Sequence, residues 1–292
     1  MTLELLPAVD LLDGQAARLV QGVAGTETGY GDPVDAAGGF AAQGARWLHV
    51  VDLDAAFGRG PRNREHLGRI VAAVGPVRVE ASGGVRTADD LHALLDLGAA
   101  RVVIGTAALE NPQWVAEACS RHGEAVAVGL DARGRTLQAR GWTASGGDLF
   151  EVLQRLEAGG CRRFIHTEVA RDGMLTGPAT DRLAQVLAAT SRPVIASGGV
   201  ASLDDLRALG GEAAGGVDRV AVAGLGAGNP LDQPGRLPVE QVDRREQLEG
   251  HGARTSATKL ASRARPAAPD FSGWNWVPNR LPCSTAAAKR PP

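Results

Sequence analysis

Two stretches of this chain, 115 residues apart, carry nearly the same ten residues. Ser82-Gly83-Gly84-Val85-Arg86-Thr87-Ala88-Asp89-Asp90-Leu91 returns as Ser197-Gly198-Gly199-Val200-Ala201-Ser202-Leu203-Asp204-Asp205-Leu206, identical at seven positions. Other pairs keep close to that offset. Asp10, ending the apolar run Leu5-Leu6-Pro7-Ala8-Val9, matches Asp131, ending Val126-Ala127-Val128-Gly129-Leu130, and Gly60-Pro61 matches Gly177-Pro178. A solenoid unit is roughly 20–50 residues long, so a repeat of this length is half a domain. Each half supplies one strand-end carboxylate and one Gly-Gly turn ahead of a helix. A fold that keeps the halves equivalent sets two acids and two anion sites around one pocket.

Short apolar runs alternate with amphipathic stretches through the first 225 residues. The runs Leu5–Asp10, Trp47–Asp52, Val77–Ala81, Arg101–Gly105, Val126–Asp131, Arg163–Glu168, Pro193–Ser197 and Asp218–Val222 are read as strands. Helical spacing lies between them at Asp89–Leu97, Pro112–Ser120, Leu149–Ala158, Thr180–Ala188 and Leu203–Leu209. Thr87 and Ser202 each precede an acidic first turn, as N-caps do. Strand–helix alternation implies a parallel sheet. Eight units with half-to-half symmetry predict a closed (β/α)8 TIM barrel over residues 1–229, with an open doubly wound sheet as the alternative.

In such a barrel the active site lies at the C-terminal strand ends. Asp10 and Asp131 end the first and fifth strands, on opposite sides of the mouth. Ser82-Gly83-Gly84, Gly105-Thr106 and Ser197-Gly198-Gly199 follow the third, fourth and seventh. Glycines let backbone N–H groups approach an anion, and a following helix adds a favourable dipole. One Gly-Gly pair alone would be a tight turn, and one strand-end Asp alone a cap or ion-pair partner. Two copies of each at matching places point instead to general acid–base chemistry, with one carboxyl ionised and the other protonated. The implied partner is a small molecule with a phosphate at each end.

Other functions find little support. A net charge of −2 gives no basic face for nucleic acid. No apolar run approaches 18 residues, so no membrane span is expected. The N-terminus enters its first strand without a leader pattern, and a cytoplasmic monomer is the expectation. Cys119, Cys161 and Cys283 fit no disulfide framework or metal pattern. The histidines are scattered; His49 and His166 read as core or strand-end residues, and Asp52 and Asp54 as supports of a loop. No cofactor or metal is called for.

Several segments carry a resemblance to a known family. Pro7-Ala8-Val9-Asp10-Leu11-Leu12-Asp13-Gly14 with Arg18-Leu19-Val20-Gln21-Gly22 resembles the first strand and loop of the ProFAR isomerases, sugar isomerases of histidine synthesis. Trp47–Gly58 resembles their second strand, and Arg171-Asp172-Gly173-Met174-Leu175-Thr176-Gly177-Pro178 the loop after the sixth. Gly25-Thr26-Glu27-Thr28, Leu53-Asp54-Ala55-Ala56-Phe57-Gly58 and Arg140-Gly141-Trp142 point to an actinobacterial type that serves tryptophan synthesis as well. The likeness spans about residues 3 to 220. It implies an Amadori rearrangement without a cofactor, with Asp10 as general base and Asp131 as general acid. It further implies that Arg18, Arg86, Arg140 and Trp142 grip the substrate and that Thr167, Asp172 and Gly177 line the sixth-strand side. Ser82, Gly83, Gly84, Gly105 and Thr106 would hold one phosphate, and Ser197, Gly198 and Gly199 the other.

The chain departs from the family pattern in three places. Ala81 stands where Leu is usual, Glu168 where Asp is usual, and the eighth strand lacks the usual Gly-Lys. Aligning Arg101–Ala107 with Arg219–Leu225 puts Ala223 opposite Gly105, where a methyl would crowd the second phosphate and lower stability. Beyond it, Pro230, Pro234 and Pro238 break helix interiors. Past His251 the chain holds seven basic residues against Asp270 alone. Residues 230–292 are therefore expected to be a low-order tail, cleavable beyond about residue 250. Two other functions stay open. A related cyclase shares the acids, but its usual Cys-Leu-Asp-Val and Lys stand here as Ala8-Val9-Asp10-Leu11 and Arg18. A catalytically impaired binding barrel would follow from the altered eighth strand.

Overall fold

The computed structural model describes residues 3–210 and 220–226. The boundary expected at residue 229 and the tail 230–292 lie outside them. In chain order the strands are β1 (Glu4–Leu12), β2 (Gln15–Arg18), β3 (Thr28–Gly29), β4 (Trp47–Asp52), β5 (Arg78–Ser82), β6 (Arg101–Ile104), β7 (Val126–Arg133), β8 (Thr136–Ala139), β9 (Ala144–Asp148), β10 (Phe164–Glu168), β11 (Val194–Ser197) and β12 (Val220–Gly226). The helices are α1 (Pro33–Ala42), α2 (Leu53–Ala56), α3 (Arg64–Ala73), α4 (Ala88–Asp96), α5 (Ala107–Glu110), α6 (Pro112–His122), α7 (Leu149–Ala158), α8 (Thr180–Ala189) and α9 (Leu203–Gly210).

Parallel pairing runs from β1 through β4, β5, β6, β7, β10 and β11 to β12, and β12 pairs back onto β1. The α/β sheet thus curls into a circuit, as a (β/α)8 barrel requires; an open sheet would leave two parallel strands with a free edge. Strands in this wall are covered on both faces, which is why they read as near-continuous Val, Ile, Leu and Ala rather than as an alternating pattern. Inside, Leu6, Trp47, Val103, Ala127, Ile165 and Ile195 fill one apolar cluster. Outside, the other residues of the same strands join the helices in a second, larger core.

The helices follow from local chemistry. On α7, Leu149, Val152, Leu153 and Leu156 recur at helical spacing and are buried, while the Asp148 side chain accepts from the N–H groups of Phe150 and Glu151. A reciprocal cap starts α4: Thr87 accepts from Asp90 N, and Asp90 accepts from Thr87 N. The second copy repeats it at α9, where Asp205 N donates to Ser202 Oγ and Ser202 N donates to Asp205 Oδ2. Both expected N-caps are in place.

Three features differ from the sequence expectation. The loops after β1 and β7 are not plain loops: β1 turns at Asp13-Gly14 into antiparallel β2, and β7 turns at Gly134-Arg135 into antiparallel β8. The last strand extends past Val222 to Gly226. Its register also corrects the repeat alignment: β12 pairs Leu6 with Ala223, is irregular there, and then pairs Ala8 with Gly226. Ala8 sits two residues before Asp10, as Gly129 sits two before Asp131 beside Gly105. Gly226, rather than Ala223, therefore reaches the level of Gly105. Among the described residues no helix is long and apolar enough to cross a membrane.

Candidate active site

A cavity of about 210 Å³ opens at the C-terminal ends of the parallel strands. Asp10 of β1 and Asp131 of β7 both line it, as the repeat predicts. Burial pushes the Asp10 carboxyl above the usual carboxylate range, against the opposing charges of Arg18 and His49. Asp131 Oδ2 accepts a hydrogen bond from Trp142 Nε1 at 2.8 Å. The two acids therefore occupy different environments, the condition for splitting acid and base roles.

The paired hairpins carry the paired arginines. Arg18 ends β2 and lies 4.0 Å from Asp172, with both side chains mostly buried. Arg140 lies just past β8, exposed, with Nε 2.7 Å from Glu110 and its backbone N–H on Thr106 Oγ1. Arg140, Gly141 and Trp142 are consecutively left-handed, with φ of 54°, 62° and 68°. For Arg and Trp this conformation is strained, and it folds the Trp142 ring down over the pocket. A Cβ on Gly22 of the first hairpin's loop would meet that ring, so the two loops close against each other. The first loop is also tied to the sixth-strand side, where Gln21 N donates to the Asp172 carbonyl at 3.1 Å.

The turns behave as copies. Gly83 and Gly84 have φ of 103° and 69°, Gly198 and Gly199 of 93° and 87°. A Cβ on Gly83 would overlap the Asp52 carbonyl, and one on Gly199 the Gly177 carbonyl, so both turns need glycine. Gly105 differs: a Cβ there meets nothing within 4 Å, which leaves room for a ligand beside Thr106. Ser82, Gly83, Gly84, Arg86, Gly105, Thr106, Thr167 and Ser197 line the cavity with the acids and arginines. Gly198 opens instead onto a small neighbouring space, and neither Gly199 nor Gly177 lines the main cavity. Those two pack together through Gly177 N–H to the Gly199 carbonyl at 2.9 Å.

Asp172 proves more than a contact residue. Burial, with the charges of Asp10 and Asp131, raises its carboxyl to about 6 against the pull of Arg18. His49 also departs from the sequence reading, because its ring lines the cavity and its Nδ1 lies 2.7 Å from Glu80 Oε1. His166 does match: it is buried, with Nδ1 3.1 Å from the Leu130 carbonyl. Asp52 and Asp54 brace the loop as expected. Asn63 Nδ2 donates to both, and Asp54 Oδ2 accepts from Asp13 N at 2.7 Å, which holds the β1–β2 turn. Cys119 and Cys161, far apart in sequence, bring buried free thiols to 2.9 Å of each other.

The histidine biosynthesis protein family model matches residues 4–225 of this chain. The chain belongs to that family. Among its relatives, the 1-(5-phosphoribosyl)-5-((5-phosphoribosylamino)methylideneamino) imidazole-4-carboxamide isomerase of Parafrankia sp. is 61% identical over 209 residues, 72% of this chain and 84% of the relative. The enzyme of the same name from Frankia casuarinae is 62% identical over 209 residues, 72% of this chain and 82% of the relative. Phosphoribosyl isomerase A of Streptomyces coelicolor is 56% identical over 220 residues, covering 75% and 91%. Asp10, Asp131, Asp172 and both Ser-Gly-Gly turns fall within the family match.

Proposed function

We propose that this protein is an aldose–ketose isomerase that converts ProFAR to PRFAR by an Amadori rearrangement in histidine synthesis. The observation that carries the reading is the meeting of Asp10 and Asp131 in one cavity, with Ser82-Gly83-Gly84 of the first half and Ser197 of the second at its rim. The relatives' names supply the substrate. An acid protonates the ribose ring oxygen, and the ring opens to a Schiff base between C1 and the substrate nitrogen. Asp10 removes the C2 proton, the electron pair moves toward that nitrogen, and the enolamine tautomerises to the ketone. The substrate's own nitrogen is the electron sink, so the scheme needs no cofactor or metal. Arg18 steadies the ionised carboxylates. Ser82, Gly83, Gly84, Arg86, Gly105 and Thr106 hold one phosphate. Ser197 and Gly198 hold the other, with Gly199 and Gly177 shaping that turn from behind. We read the fold as two half-barrel copies, which is why the phosphates flank the acids.

Two residues compete to be the proton donor. Asp131, the repeat partner of Asp10, is the donor that the sequence favours. Asp172 is favoured by its carboxyl near 6, since a group half protonated near neutral pH both gives and regains a proton readily. Replacing each by Asn separates them: the donor's loss falls on kcat at the ring-opening step, whereas the other's is the smaller.

We further propose a second activity, isomerisation of phosphoribosyl anthranilate. Arg140 rests on Glu110 at the rim, from where a loop movement would carry its planar guanidinium to the anthranilate carboxylate. Trp142 would then leave Asp131 or stack on the larger imidazole substrate. One ground for the impaired-barrel reading weakens, because Gly226 and not Ala223 stands level with Gly105, whereas the missing lysine of the eighth strand still speaks for it. We take the protein to act as a cytoplasmic monomer. Steady-state kinetics of the purified full chain on ProFAR and on phosphoribosyl anthranilate tests all of this. Turnover of both supports the dual reading, turnover of ProFAR alone restricts it, and binding without turnover of either overturns it.

A further inference from the structure

One inward-facing rung of the barrel carries charge where an apolar layer would be expected. In the sheet register His49 of β4 pairs with Glu80 of β5, and Glu80 pairs with Arg101 of β6. Glu80 is fully buried; its Oε1 lies 2.7 Å from His49 Nδ1 and its Oε2 2.8 Å from Arg101 Nη1. Arg101, 6% exposed, is braced in turn: its guanidinium lies 4.2 Å over the Trp47 ring, and its Nε reaches the Glu124 carbonyl at 3.4 Å. On the other side His49 pairs in register with Ala8 of β1, two residues below Asp10. Charge thus alternates along the row from Arg101 through Glu80 to His49, and Asp10 stands two residues above Ala8, the row's member on β1. A buried ion pair is a poor source of stability, because desolvation offsets the attraction and apolar residues of like size serve as well. The row ends at the floor of the cavity, which suggests that its value lies there.

We propose that Glu80, braced by Arg101, is a positioning residue that fixes the His49 ring by Nδ1, so that a positively charged imidazole stands at the cavity floor and keeps Asp10 ionised as the base. This rests on the isomerase reading and deepens it. Glu80 fixes the ring's orientation as well as its charge: with Nδ1 engaged, Nε2 is the nitrogen left for the cavity. Burial works against the charged ring, but Glu80, Asp10 and Asp131 together hold it above the ordinary histidine range. The groups that face Asp10 from neighbouring elements are Arg18 from β2, His49 from β4 and Asp172 from the loop after β10. Those facing His49 are Glu80, Asp10 and Asp131. Of these, only Arg18 and His49 oppose the burial of Asp10, so loss of the His49 charge acts on the base directly.

The test is the pH profile of kcat/KM for Glu80→Gln, His49→Gln and the double variant. Glu80→Gln keeps a hydrogen-bond acceptor for Nδ1 and removes only the charge. Without a cation at its side Asp10 holds its proton more tightly, so the acid limb should move up by about one pH unit in each single variant. The double variant should move no further than either single, since both break the same row. Glu80→Gln/Arg101→Met, which leaves no buried unpaired arginine, should shift the limb as Glu80→Gln does and guards against loss of the fold. An acid limb that stays put in a folded variant, or shifts that add in the double, would overturn the proposal. Should the wild type turn over neither substrate, the isomerase reading fails. The row is then judged by the NMR titration of the His49 ring, whose midpoint must fall in Glu80→Gln; an unmoved midpoint overturns it.

Discussion

Replacing Asp172 by Asn should make the protein more stable and less active at once. Asp172 sits under the closed loops with a carboxyl moved from 3.8 to about 6 by burial and by the charges of Asp10 and Asp131. The folded chain therefore binds this proton more tightly than the unfolded chain does. Below about pH 4 both states hold the proton and the site adds nothing. As pH rises from about 4 to 6 the unfolded state ionises first, so the fold loses stability across that window and keeps the loss at higher pH. Two units at ~1.4 kcal/mol each make a burden of about 3 kcal/mol at neutral pH. The opposing charge of Arg18, 4.0 Å away, is already contained in that net shift. Asp172→Asn should then gain about 3 kcal/mol at pH 7.5 and nothing at pH 4. For a chain of this size that is roughly 6–12 °C in Tm. Urea titrations of the two proteins at both pH values measure it. An equal gain at both pH values, or none at pH 7.5, would refute the argument.

Other outcomes follow from the same geometry. Asp10→Asn should lower kcat by roughly two to four orders of magnitude while binding of ProFAR changes little, because it acts on a proton rather than on a phosphate; of Asp131→Asn and Asp172→Asn, the one that removes the donor should match that loss and the other should fall short of it. Isothermal titration alongside turnover checks this. Arg140→Ala should harm phosphoribosyl anthranilate turnover far more than ProFAR turnover; equal losses in kcat/KM would remove Arg140 from specificity. Gly83→Ala puts a methyl into the Asp52 carbonyl at a left-handed φ of 103°, and thermal melting should show a loss of about 2 kcal/mol or more.

The sequence carried the barrel and the acid pair because both are periodic. Runs such as Val126–Leu130 and Arg163–Glu168 are long enough and apolar enough to announce buried parallel strands. The Thr87/Asp90 and Ser202/Asp205 caps lie within a few residues of each other. What it did not carry depends on approach between distant segments. His49 looked like a core histidine since only the folded register brings Glu80 and Arg101 into line with it. Asp172 looked like one more contact residue, because its raised carboxyl comes first from burial, which only the fold creates, and then from Asp131 and Asp10, some 40 and 160 residues away. The hairpins after β1 and β7 did leave a trace, Asp13-Gly14 in one and Gly134 in the other, but short polar strands have no core-facing pattern to betray them. The Ala223 alignment failed because β12 is irregular beside Leu6, and an inserted residue in a strand is invisible to a letter-by-letter comparison.

The central claim is that Asp10 in this cavity drives a proton transfer on ProFAR. A single-turnover experiment tests it most directly, with enzyme in excess over ProFAR at neutral pH and wild type set beside Asp10→Asn, both shown by titration to bind the substrate. The account predicts complete conversion to PRFAR by the wild type and a rate lower by roughly two to four orders of magnitude in the variant. Wild-type protein that binds ProFAR and leaves it unchanged, or an Asp10→Asn variant that converts it at the wild-type rate, would contradict the claim.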